Sequence, residues 1–179
     1  MNLLFRLFLL CLSYPFQQRI GFLDKVVTKF RALPTDLDLN FHVNNGVYFS
    51  MMDLGRFDHI FRCKVISRIV KENLYPVVAS QTIRFQKSIK CFQVFYIHTQ
   101  VIGWDEKFIF LQQKFVDKQD DTIALAVVKA RVKCRDKRNF TPSEVFHLCG
   151  INDSSPPIPN WVYDWIQSEE AMLGDLSDN

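Results

Sequence analysis

At 179 residues the chain is long enough for one domain with a sizeable buried core. Its 48% hydrophobic and 14% aromatic content excludes a disordered chain. A net charge of only +3, with no basic run and no RNP-like aromatic motif, excludes the usual signatures of nucleic-acid binding.

The chain opens on MNLLFRLFLLCLSYPF, in which Arg6 is the one charged side chain. A spanning helix needs about 20 apolar residues and Arg6 breaks the run, so a full membrane span is not expected. No small-residue cleavage site of a secretory signal is visible. Two readings stay open for residues 1–20: an apolar helix packed on the domain or on a second copy, or a peripheral membrane contact through residues 1–16. Residues 25–32 (KVVTKFRA) alternate as a strand, with Val26, Thr28, Phe30 and Ala32 on one face. Pro34 ends it.

Next comes TDLDLNFHVNNGVYF, residues 35–49, which gathers Asp36, Asp38, Asn40, His42, Asn44 and Asn45 just ahead of an apolar helical pattern. The asparagine pair stands where a helix N-cap belongs. A helix starting there aims its first free N–H groups and its positive dipole end at the polar cluster. Carboxylate, imidazole and oriented amides together suit attack on a carbonyl carbon and stabilisation of the oxyanion that forms. The helix has Val47, Tyr48, Met51, Met52, Leu54, Ile60 and Phe61 on a wide apolar side, and Ser50, Asp53 and Arg56 on a narrow polar stripe. Such a helix belongs inside a sheet. Gly55 costs about 1 kcal/mol in a helix relative to alanine, which suggests close approach of a strand.

A shorter helix is expected over residues 64–73, stopped by Tyr75-Pro76. The period then changes to two, giving strands at 77–85, 92–102, 108–117 and 122–135. The connections KSIK, GWDEK and KQDD have lengths that suit antiparallel hairpins. In the last strand Ala124, Ala126, Val128 and Ala130 share a face, small enough for the helix to approach there and match Gly55. Thr141 and Glu144 form a candidate capping box for a short helix, and an amphipathic helix is expected over 160–173. The boundaries that follow are an apolar helical segment (1–20), a central domain (21–150), and a C-terminal linker and helix (151–179). Cys11, Cys63, Cys91, Cys134 and Cys149 make no C-x-x-C pair and read as reduced, mostly buried thiols of a cytoplasmic protein. The histidines show no metal-ligand spacing, so no metal is expected.

The segment D-L-D-L-N-F-H-V-N-N-G-V-Y, Asp36 to Tyr48, resembles the signature of hotdog-fold thioesterases of the 4-hydroxybenzoyl-CoA and acyl-carrier-protein types. The family form runs roughly D-x-D-x-x-x-H-V-N-N-x-x-Y. Outside it, MDLGRFDHIFR, VIGWDEKFIFLQQKFV and HLCG…PPIP…WI…SEEA are similar to the branch that holds thioesterase superfamily member six and its bacterial relatives. The resemblance implies an α+β hotdog fold, a five-stranded antiparallel sheet wrapped around a long central helix, with helical extensions at both ends. It also implies a homodimer and hydrolysis of acyl-CoA or acyl-carrier-protein thioesters with no cofactor beyond the coenzyme A of the substrate.

Carried over onto this sequence, Asp38 is the catalytic carboxylate, acting either as general base or as nucleophile. His42 polarises the thioester or orients water, Asn40 orients substrate or Asp38, and the Asn45 and Gly46 amides form the oxyanion hole. Asp36 is the capping or solvated member of the acid pair. Tyr48 and Met51 are candidates for acyl contact, and Arg84 and Lys87, with Lys90 and Arg131, for the coenzyme A phosphates. Two departures stand out: Phe41 replaces the glycine many members carry before the histidine, and Ser88 occupies roughly the place of the further acid or cysteine of plant-type enzymes. A non-catalytic acyl-CoA- or lipid-binding module, possible at a membrane surface, is the alternative.

Overall fold

The computed structural model describes residues 3–177, with side chains through residue 172. Helix α1 (Leu3–Ser13) leads into strand β1 (Val26–Arg31), and helices α2 (Asn45–Arg62) and α3 (Ile66–Lys71) follow. Strands β2 (Leu74–Phe85), β3 (Val94–Trp104), β4 (Ile109–Val116) and β5 (Thr122–Cys134) then complete one sheet, and helices α4 (Pro142–Leu148) and α5 (Asn160–Ser177) end the described chain. The sheet is antiparallel, in the order β1-β3-β4-β5-β2.

Alternation places β1 as read from the sequence: Val26, Thr28, Phe30 and Ala32 are buried and the side chains between them exposed. On α2 the apolar side meets the sheet. Met51, Met52 and Leu54 are fully buried against Phe95, Phe115 and their neighbours, each worth about 1.5–3 kcal/mol. Gly55 lets the helix close on the sheet. A Cβ there would stand 2.9 Å from Thr99 Oγ1 on β3 and 3.0 Å from Gln113 Nε2 on β4. The helix therefore approaches the middle strands most closely at Gly55, and not β5, where the small residues had suggested it. Gln113 occupies the seam: its Nε2 donates to Met52 O (2.9 Å) and Thr99 Oγ1 (3.0 Å), and its Oε1 accepts from Arg56 Nη1 (2.7 Å).

Three local expectations change. Residues 86–93 are not a hairpin: β2 pairs with β5 and β3 with β1, so KSIK lies in a crossover between non-neighbouring strands. Ile89, fully buried in that crossover, pins it to the core, and its carbonyl accepts the Val43 N–H at 2.9 Å. The helix expected over 64–73 is short, and β2 starts at Leu74 with Pro76 inside it. Proline is tolerated because β2 is an edge strand and needs no second ladder bond there. The cysteines are less buried than expected: Cys63 and Cys134 are buried, Cys91 and Cys149 half-buried and Cys11 exposed, all unpaired.

The ends pack back onto the domain. Thr141 caps α4 in the capping box with Glu144. Glu169 of α5 bonds Ser80 on β2 and reaches Lys129 Nζ on β5 (3.5 Å), which accounts for a lysine buried on that face. The linker before α5 crosses β3 at Gly103, where a Cβ would meet Ile158 at 2.7 Å and where φ is +149°.

Candidate active site

The polar motif folds into a tight loop between two fixed points. Leu37 bridges Val43, and Asp38 N–H donates to His42 O at 2.9 Å. The Asp38 carboxylate closes an Asx turn, its Oδ1 accepting from Asn40 N–H at 2.8 Å and from His42 N–H at 3.5 Å. Oδ2 of Asp38 forms no hydrogen bond among the described residues. Capping the turn thus engages one oxygen and leaves the other unengaged among the described residues.

Phe41, at the tip, adopts φ +59° and leaves its ring 79% exposed. This is the left-handed conformation that glycine favours, so the loop keeps the bend that glycine permits despite the substitution.

Asn44 is the N-cap of α2, and its Oδ1 accepts from Gly46 N–H at 2.8 Å. That overturns the paired oxyanion assignment. The Gly46 amide is occupied by the cap and Gly46 does not border the hollow described below. Val47 N–H donates to Asn44 O at 2.9 Å. Of the first-turn donors, the Asn45 N–H has no partner among the described residues. It is the amide left at the positive end of the helix.

Asp36 is the capping member of the acid pair and is not solvated. It is 1% exposed, its Oδ2 accepts from Leu33 N–H (2.8 Å), and it pairs with Arg6 of α1 at 2.5 Å. Its carbonyl accepts the Asn44 N–H at 2.9 Å, fixing the base of the loop.

A hollow of about 330 Å³ brings together Asp38, Asn40, His42, Asn45, Tyr48 and Lys87. Sequence reasoning missed Phe85 and Gln86, because the end of β2 was read as leading into a hairpin, and Val43, an apolar residue inside the polar motif; all three also border it. Ser88 lies on the hollow as its register suggested, while Cys91 does not border it. Tyr48 is 2% exposed, edge-on to Phe85 and tilted against Phe115, and burial pushes its hydroxyl up to about 12. It is therefore a neutral phenol at any physiological pH.

Met51 and Arg84 do not join them. Met51 is fully buried in the core one helical turn further on, and Arg84 is exposed on β2 and does not border the hollow. Lys87 is present but engaged: it bonds Asp121 at 2.8 Å and lies 3.7 Å from Asp117, and the bond to Asp121 raises its ammonium pKa.

A second, apolar cavity of about 180 Å³ lies along the C-terminal half of α2, bordered by Phe57, Ile60, Val77, Leu111 and Phe146. Arg56 stands at it, held by Asp53 and Gln113. It shares no bordering residue with the polar hollow.

A curled antiparallel sheet around one long helix, with a polar loop at that helix's N-terminus, is the hotdog architecture in an α+β protein. Residues 32–166 match the thioesterase-like superfamily model, and the chain belongs to that family. It is 32% identical over 145 residues to Protein THEM6 of Xenopus laevis, covering 81% of this chain and 69% of that one. It is 28% identical over 123 residues to the probable thioesterase YBR096W of Saccharomyces cerevisiae, covering 67% and 53%. Among solved structures, the probable thioesterase YbaW of Escherichia coli superposes with a TM-score of 0.63 at 18% identity, over 68% of this chain and 94% of that one.

Proposed function

We propose that the protein hydrolyses an acyl-CoA or acyl-carrier-protein thioester to a free acid and a thiol. The observation that carries this reading is one hollow bordered by both Asp38, with one carboxylate oxygen unengaged among the described residues, and Asn45, the first residue of α2. A thioester carbonyl placed between them has its oxygen near a dipole-end donor and its carbon near a carboxylate. Either Asp38 takes a proton from water as the water oxygen bonds to carbon, or Asp38 attacks and water later cleaves the acyl-enzyme. In both routes the tetrahedral oxyanion collapses, the C–S bond breaks, and the thiolate leaves to be protonated. A donor such as the Asn45 N–H contributes roughly 3–4 kcal/mol to such a step.

His42 and Asn40, both on the hollow, are positioned to orient water or the thioester. Tyr48 contributes an apolar wall and a neutral phenol. Coenzyme A enters only as part of the substrate.

We further propose a homodimer. Strand β2 is a 12-residue edge whose side chains are mostly exposed or half-buried, and an unprotected edge of that length favours pairing with a second copy. Peripheral contact with a lipid surface is supported by Leu4, Phe8, Leu9, Leu12 and Phe16, all exposed on or just after α1. No helix among the described residues is long and apolar enough to cross a membrane. The five unpaired cysteines fit a reducing, cytoplasmic setting.

That exposed apolar face is also what favours the second reading, a non-catalytic module that binds acyl-CoA or lipid. The test is thiol release from short, long and aromatic acyl-CoA esters, run beside equilibrium binding. Turnover on any ester supports the enzyme. Saturable binding with no thiol release on all of them supports the module.

A further inference from the structure

The buried ion pair between α1 and the polar loop has no part in the chemistry above, yet it lies at the base of the catalytic loop. Resting on the thioesterase reading, we propose that Arg6 is a positioning residue. Acting through Asp36, it fixes the loop that presents Asp38 and the α2 N-terminus.

Arg6 Nη2 bonds Asp36 Oδ2 at 2.5 Å and Arg31 O at 3.1 Å, so it ties α1 to the end of β1 and to the loop at once. The side chains are 9% and 0% exposed. Asp36 is the pivot of the loop. Its side chain accepts Leu33 N–H, its N–H donates to Leu33 O at 2.9 Å, and its carbonyl takes the N–H of the α2 cap residue, Asn44. Asp38 is two residues beyond Asp36 on one strand of the loop, and Asn45 is one beyond Asn44 on the other. A shift of Asp36 therefore moves both halves of the site.

Among the described residues Arg6 is the cation paired with Asp36, and Asp36 Oδ1 and Arg6 Nη1 are buried without partners. Without Arg6, the Asp36 carboxylate is a buried charge with no counterion. The loop relieves this by swinging the carboxylate toward water, which undoes the Leu33 turn and the Asn44 anchor together. Arg6 lies outside residues 32–166, the part that matches the family model.

The test compares full-length wild type, Arg6→Met and Arg6→Lys by amide hydrogen exchange and by thiol release. In Arg6→Met, exchange over residues 36–45 accelerates at least about tenfold while the β3–β4 centre is unchanged. In the same variant kcat falls at least about tenfold with KM within about threefold, because a mispositioned base costs the chemical step. Arg6→Lys, which keeps the charge, recovers most of both.

Unchanged local exchange in folded Arg6→Met overturns the proposal, as does faster exchange spread evenly over the chain, or faster local exchange with kcat intact. If Arg6→Met does not fold, Arg6→Gln, which removes the charge but keeps a polar side chain, takes its place: exchange raised over 36–45 alone supports the strut, and exchange that is unchanged or raised uniformly overturns it. A wild type that releases no thiol removes the thioesterase reading, and the exchange comparison still judges the strut by itself.

Discussion

Gly55→Ala is the sharpest test of how α2 seats on the sheet. On helix propensity alone the change should stabilise by about 1 kcal/mol. The packing opposes it. The added methyl would stand 2.9 Å from Thr99 Oγ1 and 3.0 Å from Gln113 Nε2, and neither atom is free to withdraw. Gln113 is fully buried and its amide serves Met52 O, Thr99 and Arg56 at once.

Moving it strains two buried hydrogen bonds, each costing about 1–3 kcal/mol if lost, and overpacking adds about 1–3 kcal/mol. With one of those bonds lost, overpacking added and the propensity gain of about 1 kcal/mol subtracted, the expected net loss is about 1–5 kcal/mol. Urea unfolding at constant m reads this directly as a fall in the midpoint. A neutral or stabilised Gly55→Ala protein would mean that the helix rides higher over β3 and β4 than described, and the account of the core seam would be wrong.

Two further outcomes follow from particular side chains. Burial holds His59 down to about 4, so it is neutral in the fold and charges first in the unfolded chain, near 6.5. Between those values the unfolded state binds the extra proton. Stability is therefore full above about 6.5 and falls with falling pH toward about 4, by roughly 3 kcal/mol in all. Urea unfolding of His59→Gln across this window should give a flatter profile, and a profile parallel to wild type would refute the assignment. Phe41→Gly relieves a left-handed backbone costing about 1–2 kcal/mol in other residues, offset by roughly 0.5–1 kcal/mol of chain entropy. Thermal unfolding should therefore show no destabilisation, and a loss above about 1 kcal/mol would contradict the strain argument.

Much of this was legible because patterning is local. The alternation of Val26, Thr28, Phe30 and Ala32, the Asn44 cap and the Thr141–Glu144 capping box each declare themselves within a few residues. The family motif placed Asp38 in the polar loop ahead of a helix, and the structure brings Asp38, Asn40, His42 and Asn45 to one hollow.

What was not legible depends on partners distant in sequence. The β2–β3 connection has the length of a hairpin, and only the burial of Ile89 and the β2–β5 pairing make it a crossover. Met51 satisfies the apolar pattern of a substrate wall and of a core equally well, and the sheet claims it for the core. Gly46 looked like a free amide because the asparagine pair left open which of the two caps the helix and which amide its side chain takes. Asp36 needed Arg6, 30 residues away, to reveal its role.

In the proposed reaction Asp38 carries hydrolysis with its unengaged oxygen. Asp38→Asn keeps an oxygen acceptor for the Asn40 amide, so the Asx turn and the fold survive, but it removes the base or nucleophile. Thiol release measured for wild type and Asp38→Asn side by side, on an ester the wild type turns over, should show kcat lower by at least about a hundredfold with the unfolding midpoint nearly unchanged. Equal turnover by the two proteins would contradict the account.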